Sequence, residues 1–311
     1  MDNYDEDHIN VLEFFDTLWK GKFTILFLVF VFSISSVFYA LSLKDYYRSS
    51  SLLSVNQNSN NSFGGLSSVA SQYGSIASFA GISLPSESGN KKNLVLATLN
   101  SRVFLERLLK NDWVLPGLYA ASSYDKVTKK LNFDKSLYNP VTKIWQIDNK
   151  TKKSFKPSLL EAHIKYKNIL NIEDNISSGF IKIEIEHLSP FYAKEFLDII
   201  IEEINLMIRE QDMLESSNAL KYLEDQINQT QVADIRNSIN TMIQAQMKTQ
   251  MLAKIKKDYL LSQIDPPYVA ERKSGPTRSV ICIFGAILGL ALGIFIVLFK
   301  HYILNFKEKN N

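Results

Sequence analysis

The side chains able to do chemistry are few and scattered. Two acidic pairs stand out, Glu184 with Glu186 and Glu202 with Glu203. Paired carboxylates can share general acid–base work when their surroundings push their proton affinities apart. Here a solvated face accounts for both pairs. The first alternates along a strand pattern, and the second lies in a long helical stretch. His8, His163, His187 and His301 lack metal-ligand spacing. No G-x-x-x-x-G-K-[ST] is present, no G-x-G-x-x-G follows a strand, and Gly64-Gly65 has neither context. No Ser/His/Asp constellation can be nominated. The sole cysteine, Cys282, excludes an intramolecular disulfide and a cysteine-based metal cluster. The sequence therefore offers nothing for an enzyme, a cofactor or a metal. A net charge of +3, with Lys and Arg dispersed, gives no stripe for nucleic acid.

Glycines and prolines sit at more telling places. Gly285, Gly289 and Gly293 make two overlapping G-x-x-x-G spacings, which allow helix backbones to approach closely in lipid. They lie in an uncharged apolar run, 280–299, which as a helix spans about 30 Å, the thickness of a bilayer core. A soluble core helix is rarely apolar on every face over that length. Before it comes a short charged segment, 265–279, carrying Pro266, Pro267 and Pro276. A second uncharged run, 23–43, is also long enough to span. It is too long for a typical signal-peptide core and follows 22 mostly polar residues, so it reads as a retained anchor.

Two anchors put residues 1–22 and 300–311 on one side of a membrane and 44–279 on the other. Charge does not orient them. Lys20, Lys22, Lys300, Lys307 and Lys309 flank the spans on one side, and Lys44, Arg48, Arg272, Lys273 and Arg278 on the other, five against five.

The elements that position these features follow from periodicity. Val11, Leu12, Phe15, Leu18 and Trp19 recur at helical spacing, as an interfacial helix or as an extension of the first span. Residues 49–90 are rich in Ser, Gly and Asn and read as a linker holding a weak helix, with Leu66, Val69, Ala70, Tyr73, Ile76, Ala77 and Ala80 on one face. A helix is predicted over 93–111 and another over 158–167. The lysine-rich middle, 112–157, reads as irregular. Residues 169–172 predict a strand, 177–179 a turn, and 180–187 a half-buried strand, with Ile181, Ile183 and Ile185 on one face and Lys182, Glu184 and Glu186 on the other. Ser189-Pro190 starts a helix as N-cap and first residue. From 191 to 265 there is neither Gly nor Pro, so the spacing predicts a long helical arm. It must fold back, with a break near 228–230. Leu197, Ile200, Ile201, Ile204 and Ile208 would pack against Val232, Ile235, Ile239 and Met242.

Four segments in this order carry a family resemblance: I-N-V-L-E-F-F-D-T-L-W-K-G-K-F before the first span; I-K-I-E-I-E-H-L-S-P-F-Y-A-K; Q-T-Q-V-A-D-I-R-N-S-I-N-T-M-I with M-L-A-K-I-K-K-D-Y; and D-P-P-Y-V-A-E-R-K-S-G-P before the second span. The chain resembles the polysaccharide chain-length determinants, the class 1 polysaccharide co-polymerases or Wzz family. Only 112–157 matches no part of that pattern, and the proline pattern is loose. The resemblance implies an α+β inner-membrane protein with cytoplasmic termini. Two transmembrane helices would flank a periplasmic domain made of a small α/β base, about 44–189, and a long helical hairpin arm, about 190–265. It implies a homo-oligomer, a ring or bell of several copies. Such an assembly would set, without catalysis, the modal length of a polysaccharide such as lipopolysaccharide O-antigen made by a Wzy-type polymerase, with the growing chain as a further partner. Two alternatives keep the same topology: an accessory of capsule or exopolysaccharide export, and the membrane activator of a separate tyrosine kinase. The short tail after Phe299 holds no fused kinase domain.

Overall fold

The computed structural model describes residues 17–56, 87–148, 150–174 and 179–309. It divides into two units: Met1–Asp45 with Lys273–Asn311, and Tyr46–Arg272. The first is helical, opening with α1 (Lys22–Ser42). The second, the body, is mixed. In chain order it holds β1 (Tyr47–Val55), α2 (Glu87–Leu99), α3 (Arg102–Leu108) and α4 (Val114–Ala120). Four short strands follow: β2 (Ala121–Asp125), β3 (Lys130–Phe133), β4 (Tyr138–Asn139) and β5 (Ile144–Trp145). Then come α5 (Leu159–Ile169), β6 (Leu170–Asp174), β7 (Phe180–His187), the long helices α6 (Pro190–Gln229) and α7 (Ala233–Ile255), and β8 (Leu261–Asp265). The helical unit closes with α8 (Arg278–Lys309).

The body is built on a four-stranded antiparallel sheet in the order β6-β7-β1-β8. Ser49, Ser51 and Leu53 of β1 lie opposite Ile185, Ile183 and Ile181 of β7, and all six are buried on one face. The two serines are the reason residues 49–55 read as linker: hydroxyls are poor signals of a core strand. Their polarity is met locally, because Ser49 Oγ donates to Tyr268 O at 2.8 Å and Ser51 Oγ to Asp265 O at 2.7 Å. The expected helix through Leu66 and Ala80, the N-terminal residues Val11, Leu12 and Phe15, and most of the turn at 177–179 lie outside the described residues.

The core fills the space between this sheet face and α6, which buries Tyr192, Phe196, Leu197, Ile200, Ile201, Ile204 and Ile208. Ser189 caps α6, accepting from Tyr192 N at 3.3 Å, with Pro190 in the first turn. Ser158 and Glu161 form a reciprocal capping box on α5. The helix expected over 93–111 is two helices, because Ser101 Oγ accepts from Phe104 N at 3.1 Å and starts α3 afresh.

The arm departs from expectation in two ways. The helix breaks after Gln229 and resumes at Ala233, close to the expected position. However, Leu197, Ile200, Ile201, Ile204 and Ile208 pack into the core of the base rather than against the returning helix. Val232 and Ile235 are half exposed, and only Ile239 of the expected partner face is buried. The second departure is that residues 261–265 form a strand and not the end of the arm. Asn205 explains the change. Its buried side chain accepts from Leu260 N and Leu261 N at 2.9 and 2.8 Å and donates to Leu261 O at 3.0 Å, setting the chain onto the free edge of β1. An available sheet edge overrides helix propensity here.

The lysine-rich middle is ordered. α4 carries both helix breakers in V-L-P-G-L-Y-A. Pro116 sits in the first turn, where no N–H is required. Gly117 lies so close to the Tyr192 ring that a Cβ would overlap it. After α4, three turns share the pattern Asp/Asn-x-x-Thr-Lys. They close β2–β3, β4–β5 and the bridge between Ile147 and Ser154. Asp125, Asn139 and Asp148 accept from the N–H two residues on, at 2.9, 3.0 and 2.9 Å. Lys129, Lys143 and Lys152 take the left-handed position, with φ of 54°, 55° and 55°.

Candidate functional site

In the helical unit, α1 and α8 run antiparallel and meet along a seam of small residues. Gly21 meets Val297, Gly293 meets Ile25, Gly289 meets Leu28, Val29 and Phe32, and Gly285 meets Ser36. Both helices advance along the seam in steps of about four residues, the row that ridges-into-grooves packing uses. A Cβ at Gly289 would lie 2.9 Å from Val29 Cα and 3.0 Å from Leu28 O. Those are backbone atoms, so no rotamer change makes room. At Gly293 the nearest atom is Ile25 Cα at 3.0 Å. At Gly285 the obstacle is the Ser36 side chain, whose hydroxyl donates to Ser33 O at 2.8 Å within its own helix. Gly285, Gly289 and Gly293 carry the G-x-x-x-G spacing, and Gly21, Ile25 and Val29, also four apart, lie on the facing side of the seam.

Away from the seam the pair is apolar outward. Phe23, Phe38, Phe284 and Phe295 are each more than 60% exposed. Both helices are long and apolar enough to cross a membrane. At one end the Lys22 ammonium lies over the Trp19 ring, 4.8 Å from its centroid. At the other, Asp45 Oδ1 accepts from Arg278 at 2.9 Å and from Lys273 at 3.2 Å. Among the proline-segment residues, Pro276 belongs to this unit, half-buried two residues before α8. Pro266 and Pro267 belong to the body and follow β8, the first exposed and the second buried.

In the body the acidic pairs are dispersed into ion pairs. Glu184 is buried on the outer sheet face, accepting from Lys182 at 2.7 Å, Asn171 at 3.0 Å and Arg48 at 3.3 Å. Burial pushes its carboxyl up, but the bonds from Lys182 and Asn171 and the charges of Lys182 and Arg48 together hold it below the usual range. Glu203 and Glu210 share Arg107, at 2.6 and 2.7 Å, while Glu202 is exposed. His187 is buried against Tyr192, with ring centroids 4.1 Å apart. Its Nδ1 accepts from Ser189 N at 3.1 Å, so its Nε2–H donates to Gly117 O at 3.0 Å. Burial lowers its pKa to about 4. Among the described residues no three His, Cys, Asp or Glu side chains converge as metal ligands. What this arrangement offers is a scaffold: a close-packed pair of apolar helices and a body that presents a long helical pair.

Residues 7–111, about a third of the chain, match the family model described as Wzz, chain length determinant protein. That stretch runs through α1, the central strand β1 and the helices α2 and α3. By fold the chain is similar to a full-length bacterial polysaccharide co-polymerase, at 14% identity over 96% of this chain and 99% of that one, with a TM-score of 0.40. It is also similar to a fragment of WzzB, a polysaccharide co-polymerase from Salmonella Typhimurium, at 10% identity over 75% of this chain and 100% of the fragment, with a TM-score of 0.31. Likenesses this distant carry no argument beyond themselves. No curated protein matches the chain by sequence. The class is that of a chain bracketed by two apolar helices around a mixed helix-and-strand body. Within that class, residues 7–111 are similar to the chain-length determinants of the Wzz family.

Proposed function

We propose that this chain is a two-pass inner-membrane protein with both termini cytoplasmic and residues 44–279 periplasmic. In this reading several copies assemble into a ring or bell and set the modal chain length of a surface polysaccharide, most simply O-antigen made by a Wzy-type polymerase, without making or breaking glycosidic bonds. The observation that carries the reading is the family match, which spans the first apolar helix and enters the body. Two features support it. The pair α1 and α8 has an apolar outer surface suited to lipid. The helices α6 and α7 and the turn between them leave Leu214, Tyr222, Val232, Met247 and Met251 exposed, a surface that other copies would cover.

The test is the polysaccharide ladder of a strain lacking the gene, with and without the gene restored. Restoration should bring back a modal length; a ladder that the gene does not alter removes the reading. A periplasm-dependent reporter at Ser123 should be active, and one after Asn311 silent. The seam belongs to the same proposal. Gly289→Leu inserts a branched side chain against the backbone of Val29 and Leu28 and forces α1 and α8 apart. At matched protein level it should shift the modal length. An unchanged ladder would leave Gly289 with a packing role alone.

A further inference from the structure

The segment 121–157 has a composition unlike the rest of the chain. It carries nine lysines against three aspartates, with no Arg or Glu, while the whole chain carries only +3. The remainder is therefore net acidic, and this one module concentrates the positive charge. All nine of those lysines are exposed. Its walls are set by side chain-to-backbone turns. Asp134 Oδ1 accepts from Ser136 N at 2.9 Å and Ser136 Oγ at 2.6 Å, and Asp148 accepts from Lys150 N at 2.9 Å and Thr151 Oγ1 at 2.6 Å. Between these two turns lies an open cleft of about 380 Å³ lined by Lys135, Ser136, Gln146, Asp148, Lys150 and Phe155, together with Ile147. That is the lower part of the range for small-ligand sites.

The lining has the chemistry of saccharide recognition. Lys135 and Lys150 offer ammonium groups that form no ion pair among the described residues. The Gln146 amide can exchange hydrogen bonds with sugar hydroxyls, and the Ser136 hydroxyl, whose proton goes to Asp134, can accept one. Phe155, 40% exposed, supplies an apolar face for a pyranose ring. Asp148 also lines the cleft, but both of its oxygens are engaged in its own turn. We infer that this cleft binds an acidic sugar unit, bearing a carboxylate or phosphate, of a polysaccharide chain. The choice of a saccharide rests on the chain-length reading above; the choice of an acidic one rests on the lysines.

The experiment uses the full chain in nanodiscs and galacturonate oligosaccharides of four to six units, with malto-oligosaccharides of matched length as the neutral comparison. Galacturonate should bind saturably, more weakly as salt rises, and at least about tenfold more tightly than the neutral chain. Lys135→Ala with Lys150→Ala should weaken it by about tenfold or more, and Phe155→Ala by about fivefold, with melting temperatures unchanged. The exposed arm lysines Lys221 and Lys248, replaced together by Ala, remove the same charge elsewhere and should leave binding within about twofold of wild type. Equal losses from the two double variants, equal binding of acidic and neutral chains, or no saturable binding would each overturn the inference. So would cleft lysines that govern binding to phosphatidylglycerol vesicles while galacturonate fails to bind. Absent oligosaccharide binding in a protein that still restores the ladder would sink the cleft alone and leave the chain-length reading standing.

Discussion

The two halves of α6 share one helical pattern and meet opposite fates. From 190 to 208 most of its apolar residues are buried against the sheet and the shorter helices. From 209 to 229, among the described residues, Ser216 alone is buried, and Leu214 and Tyr222 are each 64% exposed. The backbone is equally helical throughout, about 60 Å of it at 1.5 Å per residue. Helix propensity therefore specifies the rod, and only the presence of a sheet face decides which half becomes core. The outer half is stable as a helix because it continues an anchored one, sparing it the cost of nucleation.

The largest test of that difference is Phe196→Ala. Phe196 sits among the rings of Tyr192, Trp113 and Tyr166, with centroids 5.5, 6.4 and 6.1 Å away. Its loss should destabilise the full chain by about 3–5 kcal/mol, read by denaturant unfolding in detergent. A loss under about 1 kcal/mol would mean that the inner half is not the core.

Acid should attack the same half through His187. Its pKa is depressed from 6.5 to about 4, so its neutral form contributes stability fully above about 6.5. That contribution is lost as pH falls toward about 4, about 3 kcal/mol in all. Trp113, whose ring lies 5.2 Å from that of Tyr192, should report the loosening by fluorescence. His187→Gln, which takes up no proton, should lose that part of the pH dependence; an identical profile would assign it to other groups.

At the boundary between the halves, Asn205→Ala strips partners from Leu260 N, Leu261 N and Leu261 O. The expected cost is about 2 kcal/mol, with faster hydrogen exchange confined to β8 and its loop. Uniform exchange across the body would show that Asn205 does not act locally.

The smallest stability effect belongs to the outer half. Tyr222→Ala should change unfolding by less than about 0.5 kcal/mol yet diminish crosslinked species larger than a dimer in membranes. A large loss of stability with no change in crosslinking would reverse the roles given to the two halves.

Much of this was legible in residue order. The β7 alternation of isoleucines and the Ser189-Pro190 helix start follow from period and capping chemistry, the two apolar runs from hydropathy, and the break near Gln229 from the need of the arm to fold back. What escaped has a common physical cause: local composition contradicted by distant partners. Ser49 and Ser51 look like linker until backbone carbonyls 219 and 214 residues away accept their hydroxyls. Residues 261–265 look helical until β1 offers an edge. Pro116 and Gly117 look like breakers until one falls in a first turn and the other under the Tyr192 ring. The glycine seam was half visible: its spacing was plain on α8, but its partner surface on α1 could be matched only once the helices were antiparallel. In the middle segment the lysines hid three similar turns, because charge composition masks the Asp/Asn and Thr that define them.

The place of β1 between β7 and β8 sets a timetable for synthesis. β1 emerges early, waits well over a hundred residues for β7, and then waits about seventy more, the whole length of the arm, for β8. At roughly 5–20 residues per second, the second wait lasts about 4–15 seconds, during which one side of β1 has no strand beside it. A chain released within the arm would keep that bare edge permanently. Chains ending after Gln229 should therefore be recovered as aggregate or degraded, and chains ending after Asp265 should accumulate intact; equal recovery of the two would show that something other than β8 shields the strand while it waits.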